Sequence, residues 1–335
     1  MRLWQRLFPD PFIAALLGTV VLATLAPARG PVAAGVDMVA TAAIALLFFM
    51  HGARLPREAV SGALVHWRLH LTILMISFVA FPVAGLALAR AWPALLPDGL
   101  WTGLLFLCAL PSTVQSSIAF TAMAGGNVAG AVAAATLSNL IGIALSPVLI
   151  ALILGVSDAA PVAGLGGSVG RIALLLLLPF AAGHLARPLI GGWAARNAAL
   201  LRLNDRGVIL LAVYSSFSLA VVAGLWSRVP PAVLAVLLLV CTALLGIVLL
   251  LSWYAAGMLG FTRGDRIAVL FCGSKKSLIS GLPMARVLFA GSEIGLVMLP
   301  LMLFHQVQLM ACAWLAAHLS GERHEGNDSG GHDSG

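Results

Sequence analysis

The sequence predicts an all-α integral membrane protein with ten transmembrane helices in two inverted five-helix repeats, with helices four and nine discontinuous. Three observations predict it. Of 335 residues, 61% are hydrophobic and only 9% charged, whereas soluble domains carry charge on about a quarter of theirs. Apolar runs near the ~20 residues a helix needs to cross a bilayer recur ten times. In each set of five, the fourth run is broken by Pro and polar residues. An odd number of spans per half forces the second copy to run upside down.

The runs lie at 11–27, 33–50, 71–92, 100–124, 128–154, 170–188, 207–226, 232–259, 266–290 and 294–318. They are continuous and rich in Leu, Ala, Val and Ile. Barrel strands would alternate over about ten residues, so helices are the spanning element expected. The first run, with Arg2 and Arg6 before it and Ala26-Pro27-Ala28 after it, imitates a secretory leader. Pro27 suits a cleavage site poorly and cleavage would leave nine spans, so an uncleaved first helix is expected. The first repeat is assigned to residues 1–156, the second to 157–320, and a disordered cytoplasmic tail to 321–335, where Gly, Asp and His replace apolar residues.

The formal charge of +7 and pI near 10.1 would point to nucleic acid in a soluble chain. In a many-span protein they reflect arginines kept in cytoplasmic loops, and no nucleic-acid partner is expected. Arg2, Arg6, Arg54, Arg57, Arg68, Arg187, Arg196, Arg202, Arg206, Arg263, Arg266 and Arg323 fall on one side of the ten runs. Arg29, Arg90, Arg171, Arg228 and Arg286 fall on the other. Twelve against five puts both termini in the cytoplasm of a multi-pass inner-membrane protein. Cys108, Cys241, Cys272 and Cys312 are far apart inside apolar runs, which offers neither a disulfide framework nor a zinc spacing. No pattern calls for a cofactor.

The broken runs carry the chemistry. Run four meets Pro111 and then Ser112, Thr113, Gln115, Ser116 and Ser117; run nine reads Gly273-Ser274-Lys275-Lys276-Ser277 before Pro283. Proline removes a backbone donor and Ser and Thr can bond the groups it frees. Unwound backbone at membrane depth survives only against protein or a water-filled cavity, so the two breaks are expected to cross around a polar midplane site. A simple proline kink is the competing account of run four. A buried Lys costs about 2.5–3.5 kcal/mol on insertion scales, so two adjacent ones need a partner or a role. Snorkelling competes, but both lie too deep in the run for easy escape. Lys275 and Lys276 point about 100° apart on a helix, so one is expected to face the site, amid water and hydroxyls, and the other a neighbour. Acids are scarce nearby. Asp37 in run two either pairs with one of these lysines or sits near the headgroups.

Asn139, with Ser138, is placed to reach the site from run five. His305, Gln306 and Gln308 in run ten, His184 in run six, and Tyr214, Ser215, Ser216 and Ser218 in run seven read as interhelical hydrogen-bonding groups. Asn127 after Gly125-Gly126 reads as a cap or tight turn. The candidate binding residues are thus Ser112, Thr113, Gln115, Ser116, Ser117, Asn139, Ser274, Lys275, Lys276 and Ser277.

Pro111 with its hydroxyl cluster, Gly126-Asn127-Val128-Ala129, Ser146-Pro147 and the Gly273–Ser277 break, in that order over nearly the whole chain, resemble the bile acid:sodium symporter superfamily. The resemblance is to the branch similar to the seventh member of the human solute carrier ten family. It implies a panel of spans one, two, six and seven, a core of the other six with spans four and nine crossing, and transport by alternating access. It also implies sodium sites, but a Glu and a Gln that hold sodium in coupled members match Phe271 and Lys275 here. Span-five hydroxyls match Ala131 and Ala135, and only Ser116-Ser117 persists. Sodium needs several oxygen ligands, so lysines are expected in place of the sodium sites, as a built-in counterion or a proton carrier.

The expected function is secondary active transport of a small organic anion, coupled to protons, to sodium or to neither. A sodium-coupled anion symporter and a non-transporting sensor or channel of the same fold are the alternatives. No G-x-x-x-x-G-K-[ST], H-E-x-x-H or G-x-S-x-G occurs, which argues against ATP drive and intramembrane catalysis. The bilayer is the one certain surrounding, and nothing separates a monomer from an oligomer.

Overall fold

The computed structural model describes residues 11–54, 66–154, 165–222, 224–289 and 294–328. Every element among them is helical. In chain order they are α1 (Pro11–Leu25), α2 (Gly30–Ala53), α3 (Trp67–Ala91), α4 (Asp98–Cys108), α5 (Gln115–Met123), α6 (Val128–Ile153), α7 (Leu165–Arg196), α8 (Ala198–Val222), α9 (Pro231–Met258), α10 (Arg263–Gly273), α11 (Leu278–Leu288) and α12 (Ile294–Asp328). Six of these, α2, α3, α6, α8, α9 and α12, are long and apolar enough to cross a membrane. Runs four and nine are each split, as α4 with α5 and α10 with α11.

The starts follow from local sequence. Pro31 opens α2, where its missing N–H costs nothing. Asn127 caps α6 by accepting from Gly130 N–H, and Thr262 caps α10 by accepting from Asp265 N–H. Asn127 also donates to Asp265 Oδ1 at 2.7 Å, and its N–H to Gly264 O at 2.9 Å. The turn after α5 is therefore tied to the start of α10. Within the tail expected over 321–335, residues 321–328 continue α12, which runs to Asp328, as Glu322, Arg323 and His324 are compatible with helix and no proline intervenes; 329–335 lie outside the described residues.

A π-helical turn, Ile76–Ala80, interrupts α3 just before Pro82. In that register Phe81 N–H reaches back to Ile76 O, and the donor that would meet Ser77 O belongs to Pro82, which has none. The Ser77 carbonyl is thus released into the interior.

Helices α1, α2, α7 and α8 pack on one another, with α2 against α7 the most extensive pairing, while α3–α6 and α9–α12 form a second group. Large apolar side chains such as Leu189, Leu185 and Met258 stay exposed on the outer faces, as a bilayer-facing surface requires. The contact of α2 with α7 is backbone on backbone: a Cβ on Gly183 would lie 1.8 Å from Phe49 O, and one on Gly52 2.0 Å from Phe180 O. Small residues at such contacts let helices approach without a hydrophobic drive. Gly183→Val is expected to part the two helices at a cost of roughly 1–3 kcal/mol or more, read as a lowered Tm of the detergent-purified protein. An unchanged Tm would mean the helices pack elsewhere.

Candidate functional site: a cavity at two helix breaks

The breaks meet. Ser277 N–H in the second donates to Pro111 O in the first at 2.9 Å. The other released backbone groups are taken by neighbouring side chains. Ser112 N–H donates to Ser138 Oγ at 3.1 Å, and Ser112 O accepts from Asn139 Nδ2 at 2.7 Å. Gln308 of α12 grips residue 276 at both ends, its Oε1 accepting from Lys276 N–H and its Nε2 donating to Lys276 O, each at 2.9 Å. Ser117 Oγ donates to Phe271 O at 3.0 Å, and Ser280 Oγ to Asn139 Oδ1 at 2.9 Å. Unwound backbone is tolerated here because these groups find partners inside the protein.

The lysines divide. Lys276 Nζ donates to Ser77 O at 2.6 Å, Leu110 O at 2.7 Å and Cys108 O at 2.8 Å, with the Phe81 ring centroid 4.2 Å away. It sits where α4 ends and α3 bulges, so one ammonium complements the negative end of a half-helix and the carbonyl freed by Pro82. Among the described residues Lys275 Nζ has no hydrogen-bond partner, and it lies 3.8 Å from the Phe120 ring centroid and 6.0 Å from that of Phe271. Both side chains are fully buried. The expectation that one amine faces the water-filled site is therefore corrected: the chain is unwound at 274–277, so helical spacing does not apply, and both stems turn into the protein.

A cavity of about 510 Å³ lies on the other side of the breaks. Its polar wall is Thr113, Gln115, Ser116, Asn139, Ser277 and Ser280; Phe48, Phe180, Ile143 and Leu309 supply apolar walls. Five of the ten expected residues line it. Ser112, Ser117, Ser274, Lys275 and Lys276 sit behind it: Ser274 bonds back to Leu270 O, and Ser117 joins Thr113 at 2.8 Å. The starts of α5 and α11 both border the cavity; α5 has no side-chain cap, while Ser277 caps α11 by accepting from Ser280 N–H at 3.2 Å. Helix starts carry unsatisfied N–H groups and partial positive charge, so two of them at one cavity favour an anion.

Sequence reasoning missed the mouth. Arg54 of α2 holds Asp205 of α8 through two bonds of 3.0 and 2.9 Å, with His51 Nε2 3.8 Å from the same carboxylate. Arg206 lies 5.3 Å above the Phe12 ring. All of these border the cavity, and among the described residues that line it two guanidiniums face one carboxylate. His305 also lines the cavity and contacts Gln308 at 2.8 Å. The only sequence signal was a cluster of charges at helix ends, which topology counting absorbed.

Of the two alternatives for Asp37, the pairing with a lysine does not occur. Asp37 is bound by Arg286 of α11 and accepts from Ser215 Oγ at 3.4 Å. Lys276 is bonded to three carbonyls, and Lys275 lies against the Phe120 ring. All four cysteines are buried and free.

Comparison with known proteins follows this geometry. The profile of the SBF-like CPA transporter family matches residues 10–321. The chain is 49% identical to the uncharacterized protein PA2026 of Pseudomonas aeruginosa over 95% of each chain. It is 50% identical to the Escherichia coli K12 protein named "Putative symporter YfeH" over 94% of each. With the mouse protein named "Sodium/bile acid cotransporter 7" it shares 28% identity over 92% of each.

Proposed function

The chain belongs to the SBF-like CPA transporter family and is a multi-pass membrane transporter rather than an enzyme; from that premise we propose that it moves a small organic anion by alternating access. The observation that carries this is the pair of half-helix starts, α5 and α11, facing one cavity whose mouth holds Arg54 and Arg206. A volume of about 510 Å³ lies within the roughly 300–1,000 Å³ of small-molecule sites. Apolar walls beside hydroxyls and an amide suit a carbon skeleton bearing one carboxylate or sulfonate.

The architecture proposed with it is ten spans in two inverted five-helix repeats. The group α1, α2, α7 and α8 acts as a panel against a core made of the rest, and the cavity opens to the cytoplasm as charge bias predicts. Sodium coupling in the manner of the "sodium/bile acid cotransporter 7" relatives is disfavoured by the residues. Ala131, Ala135 and Phe271 are buried without side-chain oxygen, and Lys275 lies beside Phe271, whereas sodium needs several oxygens. Lys275 is the resident cation in sodium's place.

The test is uptake and counterflow of labelled small organic anions by proteoliposomes, with sodium and pH varied separately. Counterflow exchange that ignores sodium is expected, and Asn139→Ala, which removes a donor to Ser112 O and an acceptor of Ser280, should lower it by about tenfold or more. Sodium-stimulated uptake would favour a sodium symporter. Steady conductance would indicate a channel, and binding without flux a sensor.

A further inference from the structure

Two charged contacts hold α2 at different levels of the bundle, one at the cavity and one beyond its lining. From Asp37 to His51 along α2 is about 21 Å, and from Asp205 to Ser215 along α8 about 15 Å, at 1.5 Å per residue. The contact of Asp37, Ser215 and Arg286 therefore lies about 15–21 Å along these helices from His51 and Asp205 at the mouth, beyond the residues that line the cavity. At the mouth, Arg54 joins α2 to α8, two members of one packed group. At the far end, Arg286 belongs to α11 in the other group. Its guanidinium donates to Asp37 of α2 and reaches Ala212 O of α8 at 3.5 Å. The far contact alone must break if the groups separate there.

Its burial is asymmetric. The Arg286 side chain is 7% exposed and that of Asp37 49%. A buried guanidinium cannot lose its carboxylate unless water replaces it, and movement of α11 away from α2 and α8 would admit that water to both partners at once. We infer that the Asp37–Arg286 pair is the latch that closes the far end of the pathway in the state seen, and that it parts when the cavity opens to the opposite face. This rests on the alternating-access reading. Ser215, whose hydroxyl bonds the same Asp37 oxygen, holds the carboxylate toward α11 while the latch is shut.

The experiment needs no substrate, so its failure is distinct from failure of uptake. Ala119, a cavity-wall residue, is replaced by Cys in the full chain in sealed vesicles, and a membrane-impermeant thiol reagent is applied to each face in turn. The four native cysteines, all buried, give the background in protein without Ala119→Cys. One face should label quickly and the other slowly. Asp37→Asn and Arg286→Gln should each speed labelling from the slow face by about tenfold, and the charge swap Asp37→Arg with Arg286→Asp should restore the slow rate. Unchanged labelling in the single variants, or a swap that labels as fast as they do, overturns the latch. Should Arg286→Gln fail to fold, Asp37→Asn at its half-exposed position decides alone.

Discussion

Lys276→Met is expected to yield a protein that unfolds at far lower temperature in detergent and accumulates little in the membrane. The side chain is fully buried and its ammonium satisfies carbonyls from two elements, Ser77 of α3 and Cys108 and Leu110 after α4. Hydrogen bonds to a charged group contribute about 1.5–3 kcal/mol each, and a buried acceptor left bare costs about 1–3 kcal/mol. Methionine fills the volume but offers no donor. Even after relaxation the loss should reach several kcal/mol, comparable with the ~3–5 kcal/mol of breaking a buried charge pair. The Ser77 carbonyl is orphaned for a covalent reason, the missing N–H of Pro82, and the Cys108 and Leu110 carbonyls because α4 ends at Cys108 and Ser112 N–H turns to Ser138 Oγ, so the helix supplies no backbone donor in the lysine's place. Lys276→Arg should not rescue, because a planar fork in place of a compact ammonium would press on Phe81, whose ring centroid is only 4.2 Å from Nζ. Thermal unfolding of purified protein and yield in membrane fractions measure the effect. A Tm within a few degrees of the parent would show that the carbonyls find other partners.

Much of this arrangement was legible in the sequence because it rests on local chemistry. Pro111 and Gly273 end their half-helices within two residues of where composition places them, and Asn139 reaches the break because helical spacing carries it there. The division between the lysines was not legible. It depends on Pro82, about 190 residues away, which looks like an ordinary helical proline until the carbonyl it frees is found under Lys276. The mouth and the far contact were hidden for the same reason: Arg54 and Asp205 are 151 residues apart, and Asp37 and Arg286 249. In a linear reading such charges are loop decoration, and only the packing of α2 on α8 and α11 turns them into contacts. The cavity residues Phe12, Phe48 and Phe180 carry no signal in a chain that is mostly apolar.

Lys275→Gln is expected to separate transport from folding in the way Lys276→Met does not. Lys275 holds no carbonyl, so its loss orphans no backbone group; its ammonium rests on the Phe120 face, 3.8 Å from the centroid, and beside Phe271. Cation–π contact at a desolvated site contributes about 2 kcal/mol, less than burial of the charge costs, so stability alone does not explain a lysine here. A fixed positive charge beside the break does. Phe271 O is held by Ser117, next to the start of α5 that borders the cavity, so the charge sits one layer behind the proposed anion site. On the proposed reading it supplies the field that a bound sodium ion would otherwise supply. Glutamine is nearly isosteric and neutral. The variant should unfold within a few degrees of the parent, yet lose about tenfold or more of its anion uptake, as removal of roughly 1.4 kcal/mol or more of charge stabilisation requires. If the charge is needed only for its sign, Lys275→Arg should keep part of the activity. Unchanged uptake with unchanged ion dependence in Lys275→Gln would reject a resident cation and leave Lys275 as packing against two aromatic rings.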